Sequence, residues 1–268
     1  RFLFRLCLSS PFLFGGGLST LGVLGGDRPL GQLHAHPVGT ALDDDGVLLH
    51  RADGAGDTGT KDTLIVAIPE SPTYMDPMVQ ASIGTYRVTT QMFDRLVMMD
   101  NDMNLVPGLA ESWEVIDDTT TVFHLRQGVK FHNGEEMTSE DVKYSLERCI
   151  ANPGVNYNYL IIESITCDDD YTVTIKTSAP FNALLYRLSL DAASIICKSA
   201  DTSAEEFNKN PVGTGPFKFV SRTPQQDFVM ERFEDYWGAP VWLDKVTYKI
   251  CENADALVMN LNGGSIDL

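Results

Sequence analysis

Residues 109–148 read LAESWEVIDDTTTVFHLRQGVKFHNGEEMTSEDVKYSLER, and the fold prediction rests mainly on these forty residues. Asp117-Asp118 is a polar turn, and residues 121–126 then alternate with period two, as a half-buried strand does. Residues 129–131 are predicted to form a second, short strand. Asn133-Gly134, which follows, is typical of a tight turn.

The stretch ends in a helix that carries its own capping signal. Thr138 stands where a hydroxyl accepts a hydrogen bond from the third backbone amide, and Asp141 can reach back to Thr138. Val142, Leu146 and Cys149 recur on one face at helical spacing. Strand, turn, strand, turn and capped helix therefore make a scaffold, and no residue in it indicates catalysis.

Composition excludes some classes of function. The 268 residues carry a net charge of −17, which argues against a nucleic-acid partner because such proteins need a basic face. An acidic balance is typical of a protein that stays soluble outside the cell. The hydrophobic fraction of 43% is enough for an ordinary core. The five cysteines are spaced too widely for a C-x-x-C zinc pair and do not form a disulfide pattern.

The first sixty residues differ from the rest of the chain. Residues 12–24 are apolar and rich in glycine, but no convincing cleavage site for an export signal follows them. His34, His36 and His50 show no helix or strand pattern that would hold metal ligands in register. We predict that residues 1–60 are a disordered leader and linker without a metal site.

A buried strand over 63–68 opens the folded part and ends at Pro69. The loop that follows contains two prolines and side chains suited to recognition, such as Tyr74 and Gln80. Loops at strand ends are where α/β folds place ligands. A helix is predicted over 85–97. The later predicted elements are a hairpin over 96–105, strands over 161–166 and 171–176, helices over 180–190 and 205–210, an antiparallel pair over 216–221 and 227–233, a strand over 246–250 and a helix over 254–261.

Several motifs resemble the bacterial extracellular solute-binding proteins, family 5, which are peptide- and nickel-binding receptors of ABC importers. Three lie in the quoted stretch: A-E-S-W, H-L-R-x-G-V-K-F-H-N-G and T-x-E-D-V-x-x-S-L-E-R. P-x-G-T-G-P-F-K-F from Pro211 and E-x-Y-W-G from Glu234 continue the similarity. The resemblance covers the chain from Lys61 to Leu268.

The resemblance implies an α/β fold of the periplasmic-binding-protein-like type II, in which a mixed sheet is flanked by helices and a smaller α+β domain is inserted. By that pattern, residues 61–93 and 178–268 form the main domain and residues 94–177 the insert. Members of the family have a second lobe that closes on the solute. We expect this chain to be the N-terminal half, with the second lobe missing.

The resemblance also implies where a solute binds. Ala81-Ser82-Ile83-Gly84-Thr85 matches the segment that pairs with the main chain of a bound peptide. Tyr157 and Tyr159 fall where the family places an aromatic wall, and Thr214-Gly215 lies in a loop facing the cleft. Structural alternatives stay open: Ser82 and Thr85 can cap the next helix, the tyrosines can pack against the insert, and Thr214-Gly215 can shape a turn. Some members carry an acidic residue at the position of Ala81, where it binds the amino terminus of the peptide.

The function implied is capture of peptides outside the cytoplasmic membrane and delivery to an ABC permease and ATPase complex, by hinge closure on the solute. The sequence has no G-x-S-x-G or H-E-x-x-H motif, so we expect no enzyme. We also expect no cofactor, no metal ion, no nucleic acid, a monomer, and membrane attachment only through an anchor not evident in the sequence. The alternatives are a receptor for a nickel chelate or an oligosaccharide, and a non-transport surface binding or sensor module.

Overall fold

The computed structural model describes residues 62–79 and 82–268, so the leader and linker predicted over 1–60 lie outside the described residues. Lys61–Leu268 form one compact unit. The strands are Thr63–Ile68 (β1), Val97–Met99 (β2), Leu105–Pro107 (β3), Ala110–Asp117 (β4), Thr120–Leu125 (β5), Ile162–Asp169 (β6), Thr172–Thr177 (β7), Phe217–Thr223 (β8), Asp227–Arg232 (β9) and Lys245–Ile250 (β10). The α-helices are Ile83–Met92 (α1), Ser139–Ala151 (α2), Leu184–Leu188 (α3), Ala204–Lys209 (α4) and Ala254–Asn262 (α5).

The first sheet has the strand order β1-β10-β9-β8. β1 runs parallel to β10, with Val66 opposite Tyr248, and the other two pairs are antiparallel. Val66, Ile68 and Tyr248 are buried, as expected for strands rich in apolar and β-branched side chains. The segments 61–93 and 178–268 therefore contribute strands to one sheet.

The second sheet is antiparallel, with the order β4-β5-β7-β6. Along β5, Thr121, Phe123 and Leu125 are buried while their neighbours are half-exposed, which is the predicted alternation. α2 packs against β6 and β7. All strands of this sheet come from residues 110–177. The division into a main domain and an insert over 94–177 stays a prediction.

The capped helix of the quoted stretch is α2. The Thr138 amide donates to Asp141 Oδ2 over 3.0 Å, and Val142, Leu146 and Cys149 are fully buried. Burial raises the pKa of the Cys149 thiol to about 12. The four cysteines within the described ranges are free thiols. No helix there combines the length and apolarity needed to cross a bilayer.

Three predicted elements were wrong in type or extent. Residues 129–131 form no strand, only a bridge between Lys130 and Glu136, because Gly128 and Gly134 turn the chain at φ of 71° and 88°. The helix predicted over 85–97 runs from Ile83 to Met92, since Phe93 is extended. The helix predicted over 180–190 is shortened to Leu184–Leu188.

Candidate functional site

The loop between β1 and α1, residues 69–82, leaves the carboxyl end of β1. Because β1 and β10 are parallel, the carboxyl end of β10 lies beside it, and the Cys251 amide donates to Ile68 O over 2.8 Å. Met75 and Met78 are fully buried and anchor the loop, whereas Tyr74 is 50% exposed. The loop therefore offers a surface at the sheet edge where α/β folds bind ligands.

The predicted segment 81–85 forms the entry to α1, apart from Ala81, which lies outside the described residues. Ser82 Oγ accepts a hydrogen bond from the Thr85 amide over 3.3 Å, and Thr85 Oγ1 accepts one from the Thr73 amide over 3.0 Å. Thr85 is only 2% exposed. The Ser82 hydroxyl thus caps α1, as the structural alternative for Ser82 has it, whereas the Thr85 hydroxyl binds the preceding loop and caps no helix.

Ile83 differs from its neighbours because it faces solvent. Its side chain is 56% exposed, and it is the first residue of α1. No group in the described part of the chain accepts a hydrogen bond from the Ile83 amide. The first amides of a helix have no partner inside the helix. Ile83 therefore combines a main-chain donor that has no acceptor among the described residues with an exposed apolar side chain.

Glu70 is a member of this surface that the sequence reasoning missed. The Gly84 amide donates to Glu70 Oε1 over 2.8 Å, so the carboxylate lies at the N-terminus of α1, where negative charge is favoured. A Cβ at Gly84 would lie 2.7 Å from the Glu70 carbonyl oxygen, so glycine is required for this approach. Fourteen residues separate the pair in sequence, and no local pattern connects them.

The two candidate wall tyrosines have different environments. Tyr157 is 66% exposed, but Tyr159 is fully buried and its hydroxyl donates to Arg187 O over 3.3 Å. Burial raises the pKa of Tyr159. Tyr157 lies within the 3-10 turn Asn156–Asn158, and Tyr159 is the residue that ends it. Tyr159 is therefore a core residue rather than part of a wall, and only Tyr157 remains available to a solute.

Thr214 and Gly215 lie behind α1 rather than on the surface. Thr214 is fully buried, and its hydroxyl donates to Asp94 Oδ2 over 3.4 Å. The same Asp94 oxygen accepts from Trp237 Nε1 over 2.9 Å. The Gly215 amide donates to Met92 O over 2.9 Å. A Cβ at Gly215 would lie 2.5 Å from the carbonyl oxygen of Gln91, so a side chain cannot fit. These contacts support the turn-shaping alternative for both residues.

His132 lies in the connection between β5 and α2 and hydrogen-bonds to this loop. Its Nε2 donates to Gly215 O over 2.9 Å, and its Nδ1 accepts from the Gly213 amide over 3.3 Å. Burial lowers the pKa of His132 to about 4, outweighing the hydrogen bond to Gly215. The imidazole is therefore neutral near pH 7 and acts as a polar connector.

Taken together, the structure brings Ser82, Ile83, Gly84 and Thr85 to one edge with Glu70 and Tyr74. Thr214 and Gly215 lie next to the C-terminal end of α1, where the Gly215 amide donates to Met92 O. Tyr157 belongs to a separate, exposed turn. Within residues 62–79 and 82–268, no group of three His, Cys, Asp or Glu side chains is placed to hold a metal ion. The geometry suits non-covalent binding through main-chain atoms and apolar side chains.

Comparison with known proteins gives the family. The model of bacterial extracellular solute-binding proteins, family 5 Middle, matches residues 104–268. The glutathione-binding protein GsiB of Pectobacterium atrosepticum is 34% identical over 193 residues, which cover 69% of this chain and 37% of that protein.

Two solved structures share the fold. The periplasmic binding protein DppA of Helicobacter pylori, in complex with the peptide STSA, is 30% identical with a TM-score of 0.69, and the match covers 76% of this chain and 45% of that one. NikZ of Campylobacter jejuni, in complex with Ni(L-His), is 28% identical with a TM-score of 0.70, and the match covers 77% of this chain and 42% of that one. The chain thus spans less than half the length of each of these three relatives. With its mixed α/β architecture of the periplasmic-binding-protein-like type II and its match over residues 104–268, the chain belongs to the bacterial extracellular solute-binding proteins of family 5.

Proposed function

We propose that the full-length protein is the substrate-binding component of an ABC importer. It captures peptides outside the cytoplasmic membrane and delivers them to a permease and ATPase complex. The observation that carries this proposal is the edge at the start of α1, where the Ile83 amide has no acceptor within the described residues and the side chains of Ile83 and Tyr74 are exposed. The peptide complex of the relative DppA supports it.

The proposed mechanism is recognition of the main chain, which all peptides share. An extended peptide can accept from the Ile83 amide while its side chains remain in wet surroundings next to Ile83 and Tyr74. Binding then proceeds without turnover. The names of the relatives, which describe binding proteins, agree with this.

A nickel chelate is the second candidate solute, because NikZ was solved with Ni(L-His). Since the described residues contain no cluster of three metal-ligating side chains, they would receive nickel as a preformed chelate rather than as the bare ion. The chelate and the peptide share carboxylate and amine groups, so a direct comparison of the two is needed.

The test uses the purified full-length protein and three compounds: the peptide STSA, glutathione and Ni(L-His). A peptide at about one hundred times its Kd should raise the free energy of unfolding by about 2.7 kcal/mol. Mass spectrometry of the same mixture should show intact peptide. Stabilisation by Ni(L-His) alone would favour the nickel receptor, and cleaved peptide would contradict a binding function.

The transport role needs a separate measurement. Deleting the gene should abolish uptake of labelled STSA by whole cells, and the wild-type gene should restore it. Unchanged uptake, combined with binding in vitro, would instead favour a non-transport surface binding module.

A further inference from the structure

A buried charged cluster connects α2 to the loop between β1 and α1. Arg148 of α2 donates through Nη1 to Asp76 Oδ1 over 3.0 Å and through Nη2 to Asp76 Oδ2 over 2.5 Å. Its Nε lies 2.9 Å from Asp201 Oδ2. The side chains of Asp76 and Asp201 are only 8% and 6% exposed, and that of Arg148 is 22% exposed. One guanidinium therefore joins two buried carboxylates from two irregular segments.

The cluster depends on the shape of arginine. The planar guanidinium makes a bidentate contact with Asp76 and directs its remaining edge to Asp201, an arrangement that an ammonium group cannot reproduce. The Tyr144 hydroxyl donates to Asp201 Oδ2 over 2.8 Å, and the Arg148 guanidinium lies 5.7 Å from the centre of the Phe207 ring. Burial alone would lower the pKa of Arg148, but the hydrogen bond and charge of Asp76 outweigh it, so the pKa is raised and the group stays charged.

The loop on the other side of this contact has almost no regular structure of its own. Met78 donates its amide to Asp76 Oδ1 over 2.9 Å, and its carbonyl accepts from Asn152 Nδ2 over 2.8 Å. The Met75 amide donates to Asn208 Oδ1 over 2.7 Å. Side chains therefore replace the helix or strand partners that these buried backbone groups would otherwise need. Asp76 is central to this set because it contacts both Arg148 and the Met78 amide.

Stability alone is a weak reason for such a cluster. Replacing a buried ion pair with well-packed apolar side chains is often neutral or stabilising. What the cluster provides is one defined geometry around Asp76 and Met78, six residues before Ser82 at the start of α1. Nearer the start of the same loop, the Thr73 amide donates a hydrogen bond to Thr85 Oγ1 of α1.

We propose that Arg148 is a positioning residue, which fixes the loop between β1 and α1 and so sets the affinity of the solute site at Ile83 without touching the solute. This inference rests on the proposed function. When the charged cluster is weakened, the loop samples other conformations, and only a fraction of the molecules can bind the solute. The apparent Kd then rises in inverse proportion to that fraction.

The test compares Arg148→Lys with Ile165→Ala in the full-length protein. Arg148→Lys keeps the charge but loses the bidentate contact. Ile165 is 7% exposed on β6 and lies opposite Ile175, so its truncation destabilises the core of the second sheet. Isothermal titration with STSA, well below both Tm values, should give about a tenfold higher Kd for Arg148→Lys if about one tenth of the molecules remain competent. Ile165→Ala should keep the wild-type Kd even where its Tm is lower.

A Kd for Arg148→Lys within about twofold of wild type would overturn the inference, because the cluster would then contribute to stability only. Hydrogen exchange supplies a readout that needs no solute. The amides of Met75 and Met78 should exchange about tenfold faster in Arg148→Lys than in Ile165→Ala. Equal exchange in the two variants overturns the positioning role. If the amides exchange faster in Arg148→Lys but the wild-type protein binds none of the three compounds, the result counts against the proposed function alone.

Discussion

The imidazole of His132 joins two loops through both of its ring nitrogens. Nδ1 accepts from the Gly213 amide, so the proton resides on Nε2, which donates to Gly215 O. The ring also packs edge-on against Phe233, with ring centres 5.0 Å apart. Protonation would remove the acceptor and place a charge where desolvation already disfavours it, so this contact should depend on pH.

We expect the protein to lose stability in mild acid through His132. Its pKa is lowered from 6.5 to about 4 by burial, so the unfolded chain binds the proton first as the pH falls. The stability due to the neutral ring is fully present above pH 6.5 and decreases towards pH 4, by up to about 3 kcal/mol. Urea unfolding near neutral pH and near pH 4.5 measures the loss.

The variant His132→Gln isolates this contribution. Glutamine keeps one donor and one acceptor but has no proton to gain, so the acid-induced loss should be smaller than in wild type by about 2–3 kcal/mol. His124→Gln, which removes a half-exposed imidazole on β5, controls for losing a histidine. An equal acid-induced loss in His132→Gln and wild type would contradict this prediction.

Two tyrosines illustrate what single positions in the sequence cannot specify. Tyr157 and Tyr159 are chemically identical and only two residues apart, yet one is 66% exposed and the other fully buried. The difference comes from a single 3-10 turn, whose presence has no strong signature in the local sequence. The local sequence also does not show that the Thr85 hydroxyl accepts a hydrogen bond from the Thr73 amide in the preceding loop.

Secondary structure was predictable wherever local chemistry and tertiary packing agree. The alternation along β5 and the capped, amphipathic α2 were both visible in residues 109–148. The end of α1 was not, because Phe93 leaves the helix to stack against Phe207 at 6.0 Å, a contact over more than one hundred residues. Nor was the absence of a strand at 129–131, where two glycines in the left-handed region close a compact turn.

The cap of α2 should contribute measurably to stability. Asp141 Oδ2 accepts from the Thr138 amide and its Oδ1 accepts from the Lys198 amide, each over 3.0 Å. Asp141→Ala removes both acceptors and should lower the free energy of unfolding by about 1–2 kcal/mol. Glu147→Ala, an exposed position of the same helix, should change it by less than about 0.5 kcal/mol. Chemical denaturation of the three proteins provides the comparison, and similar losses in both variants would contradict a role for the cap.

In the described unit, β1 pairs with segments that are far away in sequence. β1 lies between β10, which is more than 170 residues away, and the backbone at 267–268. Periodicity predicted β1 as a buried strand but contained no information about either neighbour. Only the family resemblance implied that residues 61–93 and 178–268 share a domain, and that division stays a prediction.

Asp267 gives a test of this pairing. Its carboxylate Oδ2 accepts from the Ile65 amide over 2.9 Å, its own amide donates to Ile65 O over 2.8 Å, and Leu268 O accepts from the Ala67 amide over 2.7 Å. Asp267→Ala leaves the Ile65 amide without its side-chain acceptor and should cost about 1–3 kcal/mol. Asp267→Asn retains an acceptor oxygen and should cost less, and Glu252→Ala serves as the exposed control. Hydrogen exchange at the Ile65 amide should accelerate in Asp267→Ala. If it stays as slow as in wild type, the Asp267 carboxylate adds nothing to the stability of β1, and the prediction is wrong.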